Sequence, residues 1–174
     1  MAEIRTVAVI GAGTLGRGIA HATALAGYRT ILEDILPTKL RKAEAELRGK
    51  TEAEAALARM EYASTVEAAA RQADLVIEAV PDELESKIEI FTLLDKLCRP
   101  DTILATNTTT LSVTEIASVT YRRKRCVGMR FIDPVDSMTA LEIVRAQETD
   151  EETVAACSEV ARRMGKEIIV STDK

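Results

Sequence analysis

The sequence has no tryptophan, three tyrosines and two phenylalanines, so aromatic residues make up only 3% of its 174 positions. The core of such a chain has to be built from Ala, Val, Ile and Leu, which suits strands buried on both faces by helices. The hydrophobic fraction of 47% is ample for that core, and the length allows about one domain, 1–174, with no room for a second. Long apolar runs are missing too: none reaches the roughly 18 residues of a membrane span. Met1-Ala2-Glu3-Ile4-Arg5 leads straight into a β-branched run with no signal-peptide pattern, so a cytoplasmic location is expected. Basic excess is also lacking. A net charge of −5 and a pI near 5.1 argue against general nucleic-acid binding. Cysteine is scarce: Cys98, Cys126 and Cys157 are odd in number and widely spaced, matching neither a disulfide framework nor a zinc site, so no metal is expected and the thiols are expected reduced and mostly buried. The single histidine, His21, falls inside a helical stretch, where it reads as a polar or packing position.

What is present begins with Val7-Ala8-Val9-Ile10-Gly11-Ala12-Gly13-Thr14-Leu15-Gly16-Arg17-Gly18-Ile19-Ala20, a β-branched run that stops at a glycine pattern and restarts as an alanine-rich helix. The pattern G-x-G-x-x-G gains its meaning from context: a strand before it, a helix after it and an acidic residue about 20 positions on. Gly11 serves the tight turn, Gly13 leaves the main chain open to a pyrophosphate, and Gly16 lets helix and strand lie close. The helix N-terminus offers N–H groups to an anion. Arg29-Thr30-Ile31-Leu32-Glu33-Asp34 is the second apolar run, and Asp34 at its end is placed to accept hydrogen bonds from an adenosine ribose. A carboxylate there disfavours a 2′-phosphate, so NAD(H) is expected over NADP(H). Lys39 and Arg41 lie farther along and soften that preference.

The remaining chain alternates strands and helices. Residues 37–60 read as a short, charged helical pair, broken at Gly49 and restarted by a capping box at Thr51 and Glu54. A short strand at 61–64, a helix capped by Thr65, a buried strand at 74–80 and a helix from Leu84 to Cys98 follow. A strand at 102–106 runs into Asn107-Thr108-Thr109-Thr110, and Ser112 and Glu115 repeat the capping-box spacing. After the basic run Tyr121-Arg122-Arg123-Lys124-Arg125, read as a solvated loop, come strands at 126–131 and 141–146, a helix from Asp150 to Met164 stopped by Gly165, and a last strand at 166–171. This is the pattern of an α/β fold: a doubly wound, mainly parallel sheet of the Rossmann type with flanking helices. Two other dehydrogenase and transferase patterns fail. The fourth residue after Tyr121 is Arg125 rather than lysine, and Val9 stands where a methyltransferase would usually carry an acid.

Together with Asp74-Leu75-Val76-Ile77-Glu78-Ala79-Val80-Pro81, Ile103-Leu104-Ala105-Thr106-Asn107-Thr108 and Val127-Gly128-Met129-Arg130-Phe131-Ile132-Asp133-Pro134, the glycine stretch resembles the N-terminal NAD-binding domain of the 3-hydroxyacyl-CoA dehydrogenase family over nearly the whole chain. The resemblance implies NAD as cofactor, held by Gly11, Ala12, Gly13, Thr14, Leu15 and Gly16 at the pyrophosphate and by Asp34 at the ribose. It implies Asp82, where the family usually has glutamate, with Lys87 on the nicotinamide side, beside Asn107 and Asp133. It implies an acyl-CoA substrate, with Thr109 on the position of a catalytic serine and Glu142 on that of the carboxylate orienting the catalytic histidine.

The histidine itself is replaced. The family's G-M-H-F-F-N-P reads Gly128-Met129-Arg130-Phe131-Ile132-Asp133-Pro134 here, so Arg130 stands in place of the general base and Asp133 in place of an asparagine. Arginine is not deprotonated in proteins and accepts no proton. A plain Arg130–Glu142 ion pair is expected instead, with weak or absent activity. The helical pair is short by the family's standard, and an all-helical C-terminal domain implied by the resemblance lies beyond Lys174, so a naturally short protein and a piece of a longer one read alike. A non-catalytic NAD-binding module, working as an oligomer or with a partner chain, is the second reading.

Overall fold

The computed structural model describes residues 3–50 and 54–173. These residues form one eight-stranded sheet from β1 (Thr6–Ile10), β2 (Arg29–Glu33), β3 (Met60–Ala63), β4 (Leu75–Glu78), β5 (Ile103–Thr106), β6 (Cys126–Arg130), β7 (Ala140–Arg145) and β8 (Glu167–Thr172). Their spatial order is β3-β2-β1-β4-β5-β6-β7-β8. Helices α1 (Thr14–Leu25), α2 (Pro37–Lys50), α3 (Glu54–Ala58), α4 (Val66–Ala70), α5 (Leu84–Leu97), α6 (Val113–Ala117) and α7 (Glu151–Arg163) cover its two faces. Every residue of β1 is buried, and the two-residue period of a strand divides them. Val7 and Val9 enter one core layer with Leu32, Ile77 and the α1 residues Ile19 and Ala20, while Ala8 and Ile10 enter the other with Ile31, Val76 and Phe91 of α5. Each such side chain contributes on the order of 1.5–3 kcal/mol when fully buried.

The chain winds outward from β1 through β2 to β3, then crosses back to β4 on the other side of β1. That reversal opens a crevice beyond the C-terminal ends of β1 and β4, the usual ligand position in such sheets. The sheet is mainly parallel as expected, but β7 runs antiparallel to β6, and β8 pairs parallel with β7. Only residues 131–139 join β6 to β7, too few for the crossover of a dozen or more residues that a parallel return needs. The reversal places Arg130 directly opposite Glu142 in the ladder.

Local signals in the sequence act as read. The side chains of Thr65, Ser112 and Asp150 accept hydrogen bonds from the backbone N–H groups of Ala68, Glu115 and Thr153 at 3.2, 3.1 and 2.8 Å. The three cysteines are free and buried. Three readings are corrected. Helix α2 continues through Gly49 to Lys50, because the cost of one exposed helical glycine, about 1 kcal/mol, is smaller than what the buried stripe Leu40, Ala43 and Leu47 returns. Met60 belongs to β3 instead of a helix, and Thr51 of the first expected capping box lies outside the described residues. Arg122 is not a solvated loop residue: it donates to Asp95 Oδ1 at 2.8 Å and to the carbonyls of Asp95, Cys98, Arg99 and Thr102, closing the end of α5. Among the described residues no helix is long and apolar enough to cross a membrane.

Candidate functional site

The glycine turn is fixed by sterics. Gly11 has φ +104°, and a Cβ on Gly16 would sit 1.8 Å from the Gly11 carbonyl oxygen, so only glycine allows α1 to approach β1 this closely. A Cβ on Gly13 would meet nothing within 4 Å, which marks the open side of the turn. Gly13 is the N-cap of α1 and no side chain caps it, leaving the first-turn N–H groups available to an anion. Asp34 ties the turn down: its Oδ2 accepts from Ala12 N and its Oδ1 from Leu36 N, each at 2.9 Å. A carboxylate has about four acceptor positions, so Asp34 keeps capacity for a ligand.

These residues open onto a cleft of ≈ 530 Å³ lined by Gly11, Gly13, Thr14, Leu15, Asp34, Ile35, Leu36, Lys39, Ala79, Val80, Pro81, Asp82, Asn107 and Thr109. Seven of the expected cofactor residues meet there, with Thr109 beside them. Ala12 and Gly16 are buried behind the turn. Ile35 and Leu36, 79% and 48% exposed, give the cleft an apolar wall whose one signal in the sequence is a pair of apolar residues directly after Asp34.

Lys87 does not stand on the cleft wall. It is fully buried, with Nζ 2.6 Å from Glu78 Oε2, 3.1 Å from the Val80 carbonyl and 3.0 Å from the Asn107 carbonyl. All three ammonium donors are used inside the protein. Glu78, equally buried, accepts from Thr106 Oγ1 at 2.6 Å and from Val80 N at 2.8 Å. The pair therefore props the loops after β4 and β5 from behind, and Glu78 is a site-building residue not singled out from sequence. Asp133 is exposed on the 131–139 loop and faces a separate recess of ≈ 60 Å³ shared with Thr14, Arg17 and His21. Asn107 does line the cleft, and its Oδ1 accepts from Phe131 N at 2.7 Å.

Asp82 gathers the threonine turn. It accepts from Thr108 Oγ1 at 2.6 Å, Thr109 N at 3.2 Å, Thr109 Oγ1 at 3.3 Å and Thr110 Oγ1 at 3.1 Å, with Lys87 Nζ 3.8 Å away. Burial opposes its ionisation, but those hydrogen bonds and the Lys87 charge outweigh burial and hold the carboxyl below the usual range.

Thr109 also lines a second, polar cavity of ≈ 330 Å³ with Thr110, Ser112, Arg130, Glu142, Ser171 and Asp173. The three positions expected to be catalytic converge here. Arg130 donates from Nε to the Thr108 carbonyl at 2.9 Å and from Nη1 to Glu142 Oε1 at 2.5 Å, and Glu142 Oε2 accepts from Ser171 Oγ. The expected ion pair is formed.

Glu33, at the end of β2 beside Asp34, is pushed up to about 7 by burial first and then by the Asp34 charge, against a hydrogen bond from Gly11. Its folded value is raised above the unfolded 4.5, so the stability it gives is complete below pH 4.5 and lost as pH rises through about 7. Glu33→Gln is therefore expected to stabilise the fold by about 2–3 kcal/mol at pH 8 and to be near neutral at pH 4.5. Urea midpoints at the two pH values check this; equal differences at both would refute it.

Comparison with known proteins decides the family. The family model of the 3-hydroxyacyl-CoA dehydrogenase NAD-binding domain matches residues 6–174. The chain belongs to the 3-hydroxyacyl-CoA dehydrogenase family, as its NAD-binding domain. It is 39% identical to a probable 3-hydroxybutyryl-CoA dehydrogenase of Bacillus subtilis, over 98% of this chain and 63% of that protein. It is 37% identical to 3-hydroxyadipyl-CoA dehydrogenase of Escherichia coli, over 96% of this chain and 38% of that one. The crystal structure of (S)-3-hydroxybutyryl-CoA dehydrogenase from Ralstonia eutropha superposes with a TM-score of 0.94 at 33% identity, covering 99% of this chain and 65% of the other. The chain thus spans less than two thirds of the length of these relatives.

Proposed function

We propose that this chain holds NAD(H) in the ≈ 530 Å³ cleft and a 3-hydroxyacyl-CoA substrate at the adjoining cavity, with the acid–base function of the family's histidine lost at Arg130. The observation that carries the reading is the open Gly13 cradle with the Asp34 carboxylate beside it on one cleft. The first-turn N–H groups of α1 receive the pyrophosphate, Asp34 the ribose hydroxyls, and Ile35 with Leu36 the adenine face. When bound, NAD supplies the hydride acceptor at its nicotinamide. Thr109, shared by cleft and cavity, marks where the two ligands meet. Three free, buried thiols fit a reducing, cytoplasmic setting. The alternative, a non-catalytic NAD-binding module that works with a partner or as an oligomer, shares the cleft and differs only at the cavity.

Calorimetric titration tests the reading. NADH is expected to bind more tightly than NADPH, because the Asp34 carboxylate would meet a 2′-phosphate, and Asp34→Ala is expected to weaken NADH by about 1–3 kcal/mol. The turn should persist in that variant, since Gly11 N still donates to the Glu33 carbonyl at 2.9 Å. Equal NADPH affinity, or an unchanged NADH affinity in the variant, would show that the cofactor is not held this way.

A further inference from the structure

Arginine at position 130 removes a proton acceptor, yet another, Asp82, lies one hydrogen bond behind Thr109 of the same cavity. We propose that the chain withdraws the hydroxyl proton of its substrate through Thr109 onto Asp82, with Arg130 as the fixed cation beside the resulting oxyanion; this rests on the substrate reading above.

The hydrogen-bond directions carry the argument. Thr109 Oγ1 donates its own hydrogen to Asp82 Oδ2, so what it has left for a partner in the cavity is its lone pairs, and it acts there as an acceptor. Arg130 lines that cavity too. Its Nη2 has no hydrogen-bond partner among the described residues, and a guanidinium only donates. One acceptor and one donor on the same cavity suit an alcohol, which gives its hydrogen to Thr109 and accepts from Arg130. A ketone has no hydrogen to give and leaves Thr109 unanswered.

The proton transfer balances. The substrate O–H bond breaks as a new Thr109 O–H forms, the original Thr109 O–H breaks, and its proton joins Asp82 Oδ2. The carboxylate becomes neutral while the substrate oxygen becomes negative beside Arg130. Asp82 is suited to pass the proton on, because 31% of its side chain is exposed. The 3.3 Å separation of Thr109 and Asp82 is long for two oxygens, as such contacts often are before a ligand tightens them. The charged groups around Asp82 are Lys87 of α5 at 3.8 Å, Glu78 of β4 bonded to that lysine, Lys39 of α2 on the same cleft, and its neighbour Glu83. Lys87 and the threonine hydrogen bonds keep Asp82 ionised near neutral pH, so the accepting form is the populated one and the protonated form is rare.

Binding without turnover tests the complementarity. 3-Hydroxybutyryl-CoA is expected to bind this chain about tenfold more tightly than acetoacetyl-CoA, roughly the weight of one hydrogen bond. Thr109→Val should level the two, and Thr109→Ser should restore the difference. Equal affinities in the unmodified chain, or a preference unchanged by Thr109→Val, would overturn the proposal alone. If NADH binds and neither thioester does, the substrate reading falls and this one with it. Turnover tests the relay: between pH 6 and 8 oxidation should be flat, while reduction should fall about tenfold per pH unit because it draws on the rare protonated Asp82. Asp82→Asn should abolish that slope; a slope that survives the substitution would exclude Asp82 as the acceptor.

Discussion

With NADH and acetoacetyl-CoA, turnover by this chain will run about 10²–10⁴-fold below the 1–10³ s⁻¹ common among enzymes, even at saturating cofactor and substrate. The deficit is the ordinary worth of general acid–base assistance, and it follows from what stands opposite Glu142. In the β6–β7 ladder that position is Arg130, whose guanidinium is committed to Glu142 and the Thr108 carbonyl. It polarises an oxygen but exchanges no proton at neutral pH. Any slow turnover belongs to the weaker route through Thr109. Arg130→His should recover only part of the deficit, because the lines of contact made by Nε and Nη1 are lost with the arginine. Steady-state assay of the unmodified chain decides the matter: ordinary enzymatic rates would show that the reading of Arg130 is wrong.

Lys87→Met will destabilise the fold by about 3–5 kcal/mol, the usual loss when one partner of a buried ion pair is removed. Glu78 would be left without its cation and with no access to water. Burial already pushes the Glu78 carboxyl upward, opposed chiefly by Lys87, so without the lysine it takes up a proton instead of staying charged. A raised folded value means that the neutral form's contribution holds at low pH and is lost as pH rises. The variant should thus lose more at pH 8 than at pH 5, and Glu78→Gln in the same chain should return part of the loss. Urea unfolding measures both. A variant as stable as the parent at pH 8 would mean that the pair is dispensable.

The sequence was most legible where the physics is local. Gly11 and Gly16 are demanded by backbone angle and close approach, Thr65 and Ser112 by the unpaired donors of a helix start, and each was readable within a few positions of itself. The Arg130–Glu142 pair was also readable, because the family register carried both residues. What escaped depends on contacts between separate elements. Nothing near Lys87 in sequence says that its ammonium turns inward to Glu78 on β4, and the basic run around Arg122 gives no hint of the Asp95 carboxylate and four carbonyls that draw it in. The direction of β7 rests on the shortness of the 131–139 connection, which is legible only once strand ends are known to within a residue or two. Register puts Asp133 beside the cofactor, and the loop sets it on a separate recess that shares Thr14 with the cleft.

Strand β8 makes three side-chain attachments along or beside its length. Lys166, just before it, donates to the carbonyls of Val135 and Met138 on the loop after Arg130; Ser171 donates to Glu142; and Asp173, just after it, receives Ser112 Oγ and Thr114 N at the start of α6. All residues lining the cleft lie within the first 109 positions, whereas the cavity draws on Ser171, Thr172 and Asp173. A ribosome building this chain from its N-terminus therefore finishes the two halves at different times. The cleft has all its lining residues once Thr109 is made, whereas the cavity waits for Ser171, Thr172 and Asp173.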